Sequence, residues 1–188
     1  MSYLRAHFPQ FERVAGVRLH ALTMGHALML ARLGCPLLPG GEARLPAPGD
    51  VAVLLWVCSR PWRTAVRRAS SLPARWWRAY VAGRVLASHV ATVDAVRKWL
   101  KKQCAGPELA AGTRGGTLRS PTLAALKVAA MCDLGLTEAE IMDRPLGLTI
   151  WEVLVAAERR GDVELKPTPD AFQFLLTAAK AMEAPHGQ

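Results

Sequence analysis

An all-α fold, a compact bundle of about seven helices with one long basic amphipathic helix, is predicted by three observations. Apolar residues make up 51% of the 188 residues but aromatics only 6%, so the core is chiefly Ala, Leu and Val. That mixture packs well between helices, whereas a β-sandwich draws on more β-branched and aromatic side chains. Capping residues or prolines stand ahead of the apolar stretches and glycines stand behind several of them, as helix termini require. One stretch, 73–104, keeps a helical period for about thirty residues, with Gly83 as its single breaker. The length suits one domain, or one domain with an appendage. The expected division is an N-terminal helical part over 1–104, a Gly-rich linker over 105–120 and a C-terminal helical part over 121–188, sharing one domain or not.

The elements follow in chain order. Residues 1–20 lack a clean period, and a short strand or a loop fits 14–19; no strand pair is predicted. Over 22–34, Thr23 caps a helix and Gly34 occupies the left-handed position at its end. Residues 35–49 hold four prolines and three glycines and read as a loop. Asp50 is expected to cap a buried apolar helix running to Ser59, and Pro61 to open the next helix in its first turn. That helix breaks at Ser70 and Ser71. In the long helix from Pro73, Val81, Val85, Leu86, His89, Val93, Val96, Trp99 and Leu100 share an arc of about 140° at 100° per residue. Arg84, Lys98, Lys101 and Lys102 occupy the other side. Ser120 and Pro121 begin a helix that stops at Gly135, and Thr137 with Glu140 forms a capping box for a short helix ended by Pro145. A further helix places Ile150, Val153, Leu154 and Ala157 on one face and ends at Gly161. Asp170 caps a last helix to Met182.

Charge is distributed unevenly. Over 60–102 there are eleven basic residues and one acid, a net of +10, while the rest of the chain carries thirteen bases and fourteen acids. Four of the six tryptophans, Trp62, Trp76, Trp77 and Trp99, fall in the same block. A concentrated field of one sign attracts a partner of the other sign, be it nucleic acid, an acidic protein or an anionic membrane. Long arginines also cover apolar surface with no partner at all, and the two readings weigh about evenly here. Trp76 and Trp77 are adjacent, so one helix stripe cannot bury both; one faces a neighbouring helix or a partner. Arg and Trp are residue types enriched at interface hot spots. The candidate partner-binding residues are Trp62, Arg63, Arg67, Arg68, Trp76, Trp77 and Arg78.

No catalytic, metal-binding or cofactor-binding residues are predicted. Cys35, Cys58, Cys104 and Cys132 are irregularly spaced without a Cys-x-x-Cys pair, and packing is the expected role of most. His20 and His26, six apart, would lie on opposite sides of a helix and share no metal. The glycines at 112–116 lack the lysine and the preceding strand of a phosphate loop, with Arg114 alone in place. Glu138 and Glu140 are absorbed by helix capping. An enzyme is not expected. Helices around Gly135 have helix-turn-helix lengths, but Glu138, Glu140 and Asp143 would repel phosphates, and a packed helical hairpin fits better. The longest apolar run, 51–58, falls short of the ~20 residues that span a bilayer. With Arg5, His7 and Pro9 interrupting the start, a cytosolic protein is expected.

Three stretches together resemble the tail assembly chaperones of long-tailed bacteriophages: LTMGHALMLARLGCPLLPGG (22–41), GDVAVLLWVCSRPW (49–62) and MDRPLGLTIWEVLVAAERRGDVEL (142–165). They cover roughly a third of the chain, and none is a catalytic signature. The resemblance implies a non-enzymatic helical protein of virion morphogenesis, made in the cytoplasm of an infected host. Such a protein holds a helical tail protein, the tape measure protein, and often self-associates. The basic block would then be its docking face. The size of the charge excess keeps a second reading open, a basic helical protein that binds DNA or RNA through the same residues, with tryptophans stacking on bases. A membrane-surface role ranks third, because the apolar stripe of the long helix is expected to be spent on the core.

Overall fold

The computed structural model describes residues 11–38, 44–107 and 122–166. Among these residues the chain forms eight helices and one two-stranded hairpin around a single hydrophobic core, a mostly α-helical fold as the composition predicts. The hairpin is the addition. Strands β1 (Glu12–Val14) and β2 (Val17–Leu19) pair antiparallel, with Val14 opposite Val17. Their two-residue turn has positive φ at both Ala15 (50°) and Gly16 (78°), the handedness that tight hairpins favour. Three residues per strand are too few for an alternating pattern, and Ala-Gly is a weaker turn signal than Asn-Gly. The hairpin is anchored from outside, by Lys102 on Glu12 and by Val14 and Leu19 buried in the core.

Helix α1 (Met24–Arg32) begins at Thr23, whose hydroxyl accepts the His26 amide, and the chain turns away at Gly34 with φ +65°. Helix α2 (Pro48–Cys58) is the central element, with Val51, Leu54, Leu55, Trp56, Val57 and Cys58 all buried. It starts three residues before the position expected of it, with Ala47 in place of Asp50 at the cap. Asp50 lies inside the first turn, where its carboxylate accepts the Ala47 amide at 2.8 Å and pairs with Arg44 at 2.6 Å. The Arg44 guanidinium holds that carboxyl below its ordinary range. Helix α3 (Trp62–Arg68) follows Pro61, and the break at Ser70 and Ser71 precedes α4 (Leu72–Ala87), capped by Ser71.

The single long helix predicted over 73–104 is two helices. The break falls at Ser88, with φ −138° and ψ 41°, and not at Gly83; α5 runs His89–Gln103. Ser88 ends one helix through its amide on the Val85 carbonyl and starts the next through its carbonyl, which accepts the Thr92 amide. The physical reason is that α4 and α5 both pack on α2, and a rod of ~45 Å at 1.5 Å per residue would carry one end past that core. Val81, Val85, Val93, Val96, Trp99 and Leu100 are buried as the stripe predicts, but Leu86 is 67% exposed and His89 hydrogen-bonds the Pro46 carbonyl at 2.9 Å.

Helix α6 (Thr122–Leu134) ends before Gly135, φ +63°; α7 (Glu138–Asp143) has the expected Thr137–Glu140 capping box; α8 (Leu146–Arg159) follows Pro145. In α8 the first turns are buried all round, at Leu146, Leu148, Thr149 and Trp151, and further along Ala157 is buried, while Ile150, Val153 and Leu154 of the expected face are half-buried. The two parts of the chain are joined by backbone: the Leu146 amide donates to the Leu22 carbonyl (2.8 Å) and the Met24 amide to the Arg144 carbonyl (3.2 Å). The expected helix 170–182, the glycines at 112–116, Arg114, Gly40, Gly41, Ser120, Pro121 and the first ten residues lie outside the described residues.

Candidate functional site

The basic, tryptophan-rich block divides into two kinds of residue. One kind is consumed by the fold. Trp56 is wholly buried, with the Arg60 guanidinium 4.5 Å and the Arg78 guanidinium 5.4 Å from its ring centre. Arg60 also donates to the Trp56 carbonyl at 3.0 Å, and Arg78 to the Ala69 carbonyl at 3.2 Å. Burial lowers the pKa of Arg60, with Arg68 nearby adding to the effect. Trp77, half-buried, packs against the core and lies 5.7 Å from the Arg60 guanidinium. These cations stitch α2, α3 and α4 together through cation–π contacts that gain strength where water is excluded.

A second joint forms at the corner after Pro61. The Trp62 ring covers Gly25 of α1 so closely that a β-carbon there would stand 2.5 Å from it. Its indole Nε1 donates to Asp143 of α7 at 2.5 Å, and Arg63 pairs with the same carboxylate at 2.9 Å. Arg63 first, then Trp62, holds the Asp143 carboxyl below its usual range. On the other side His26 Nδ1 accepts the Thr23 amide (3.2 Å), which leaves Nε2–H to donate to the Arg60 carbonyl at 2.8 Å. The three stretches that carry the family resemblance therefore meet at one place, through Gly25 and His26, through Arg60 and Trp62, and through Asp143. What they encode together is a structural joint.

The other kind of residue faces outward. Arg67 and Arg68 are exposed on α3, and Trp76 is 76% exposed on α4. Of the adjacent pair, Trp77 is the inner and Trp76 the outer, the split that adjacency required. So of the seven candidate contact residues, Trp62, Arg63, Trp77 and Arg78 hold elements together, and Arg67, Arg68 and Trp76 remain available.

Trp76 is part of a larger surface that sequence reasoning missed. The six large apolar residues more than 60% exposed among the described residues are Leu45, Leu72, Trp76, Tyr80, Leu86 and Val90. Four of them lie on α4, and Val90 opens α5. Leu45 precedes Pro46, whose carbonyl His89 bonds, so it belongs to the same neighbourhood. On the α4 wheel, Leu72, Trp76, Ala79, Tyr80, Gly83, Leu86 and Ala87 fall in an arc of about 120°. All are exposed. Arg75 borders that arc on one edge and Arg84 on the other. Ala74, Val81 and Val85 are buried on the opposite side. Thus α4 is apolar on two faces, and only one is covered. The signal was legible: the wheel of Leu72–Ala87 carries more apolar arc than one core contact needs.

One recess of about 370 Å³ opens on this face, lined by Leu72, Arg75, Trp76 and Ala79. Another, of about 280 Å³, lies on the flank of α4 towards the hairpin turn at Gly16, lined by Trp77, Val81 and Val85 of the inner side with Tyr80 and Arg84. Among the described residues, Arg67, Arg68, Arg75 and Arg84 have no carboxylate within ion-pair distance, and no acid occurs between Asp50 and Asp94. The described residues also bring together no group of three His, Cys, Asp or Glu able to hold a metal ion, and no helix among them is long and apolar enough to cross a membrane. Cys58 is fully buried and its thiol is pushed far up by that burial. Comparison with protein families, curated proteins and solved structures finds no match to the chain.

Proposed function

We propose that this chain is a non-enzymatic binding protein that holds a helical protein partner on the outer face of α4, and that it acts as a tail assembly chaperone or a related factor of phage virion morphogenesis. The observation that supports holding is the apolar face 72–87, exposed and bordered by arginines that have no acid to pair with among the described residues. A helix apolar on two sides is stable when both are covered, and Trp, Tyr and Arg supply binding energy at such surfaces. The more specific identity rests on the resemblance of 22–41, 49–62 and 142–165. In that setting the partner is the tape measure protein, the site of action is the host cytoplasm, and self-association of the holding protein is expected.

The test is light scattering of a recombinant tape measure fragment diluted from denaturant, with and without this protein. Suppression of aggregation by the wild type, lost on Trp76→Ser with Tyr80→Ser, is expected. No suppression by the wild type at several-fold molar excess refutes the reading.

A second reading, DNA or RNA binding, draws on Arg67, Arg68 and Arg75. Anisotropy of a labelled 30-mer duplex and single strand at low and near-physiological salt separates the two, because phosphate neutralisation makes affinity fall steeply with salt.

A further inference from the structure

We propose that the outer face of α4 receives an amphipathic α-helix whose apolar stripe is edged by carboxylates, with an apolar anchor seated in the recess at Leu72–Ala79. The inference deepens the proposed holding function and rests on it. Three features of the surface specify the occupant. The first is relief. Along α4, Leu72, Trp76 and Tyr80 form a row at four-residue spacing, and Ala79, Gly83 and Ala87 form the next, with Leu86 beyond. A row of small side chains beside a row of large ones, with Leu86 on its far side, is a groove, and ridges of four-residue spacing on one helix seat in such grooves on another. Nothing within 4 Å stands over Gly83, so the groove is open at its middle.

The second feature is a recess of about 370 Å³ at one end of the face, lined by Leu72, Arg75, Trp76 and Ala79, which has room for one apolar side chain of a partner helix. The third is charge. Arg75 and Arg84 border the stripe on opposite edges, and both lack an acidic partner within the described residues. Carboxylates on both edges of an incoming helix would form two-pronged pairs with them.

The same features argue against other occupants. A second copy laid on this face would bring arginines and no carboxylate to its edges, because no acid occurs between Asp50 and Asp94, so Arg75 and Arg84 would gain no acidic partner. A lipid surface has no ridge to fill a groove, and a nucleic acid would have to lay its phosphates across an apolar stripe.

The test uses the full chain and two labelled 21-residue peptides with the same Leu heptad stripe, one edged with Glu and one with Lys, read by fluorescence anisotropy. Vesicles containing phosphatidylglycerol and a 30-mer single strand serve as competitors. The Glu-edged peptide is expected to bind, and the Lys-edged one to bind at least about tenfold more weakly. Gly83→Leu fills the groove at a position where the fold has room, and Trp76→Ala removes an exposed side chain. Each is expected to weaken the Glu-edged peptide about tenfold or more with no loss of thermal stability. Equal binding of both peptides overturns the acidic edges and leaves a holding surface standing. Peptide binding indifferent to both substitutions overturns the site. Capture of vesicles or the oligonucleotide with neither peptide bound overturns this inference and the holding function together.

Discussion

At the residue scale, Gly25 and Trp62 show how close packing assigns an indole. The ring of Trp62 lies where a β-carbon on Gly25 would be, 2.5 Å from its nearest ring atom. Gly25→Ala must therefore push out an indole that is also tied to Asp143, and overpacking of this kind costs about 1–3 kcal/mol. A lowered urea midpoint together with a red-shifted tryptophan emission is the expected result. His26 makes a second prediction. It is buried, and its pKa is lowered below 6.5 first by that burial, against a raising contribution from the Arg60 carbonyl. A lowered histidine pKa means that the unfolded chain binds the proton more readily. The stability held through neutral His26 is complete above pH 6.5 and is lost as pH falls from 6.5 toward the folded-state value. The slope approaches about 1.4 kcal/mol per pH unit in that window. Urea titrations at pH 7.5, 6.5 and 5.5 check it. His20, lowered by burial and by Arg18, acts in the same direction, so the wild type is to be compared with His26→Gln, whose dependence is expected to be flatter.

At the scale of elements, the helix termini were legible because they rest on local chemistry. Thr23, Ser71, Thr137, Gly34 and Gly135 all serve as caps or stops in the structure. The continuity of 73–104 was not legible. A continuous helical period and a break at Ser88 are both compatible with the same stripe, and the choice depends on how far α2 extends beneath it. Gly83 lies inside α4 with nothing within 4 Å of its missing β-carbon and with helical φ. Gly83→Ala is therefore expected to stabilise the protein by about 0.5–1 kcal/mol, through the backbone freedom that glycine loses on folding. A thermal melt raised by a few degrees checks it. If α4 and α5 formed one rod with its kink at Gly83, the same change would lower stability.

At the scale of the whole molecule, the N- and C-terminal parts depend on each other. Leu22 and Met24 pair through backbone with Leu146 and Arg144, the Gln103 side chain accepts the Leu22 amide, and the core cluster includes Ala130, Ile141 and Leu146 beside α1 and α2. A fragment ending at Gly106 would expose the sides of α1 and α5 that α6–α8 cover. Such a fragment is expected to lose its near-ultraviolet dichroism and cooperative melting. Retention of both would mean that 1–106 folds alone. The surface carries the complementary prediction: Trp76→Ser with Tyr80→Ser leaves the unfolding free energy from urea titration within about 0.5 kcal/mol, since exposed positions contribute little to folding, while holding of the partner is lost.

The sequence by itself determined the helical class, most helix ends, and the place of the charge excess, because propensity, capping and composition act within a few residues. It also required that Trp76 and Trp77 point different ways. Only the tertiary structure decided which tryptophans and arginines the fold consumes. Arg60 and Arg78 close on Trp56, and Trp62 and Arg63 close on Asp143 about eighty positions away in the chain, which no local rule specifies. It likewise decided that α4 has one face on α2 and the other bare, since burial is a property of what neighbours a helix and not of the helix. The bare face of α4 is the remainder left when the core has taken what it needs.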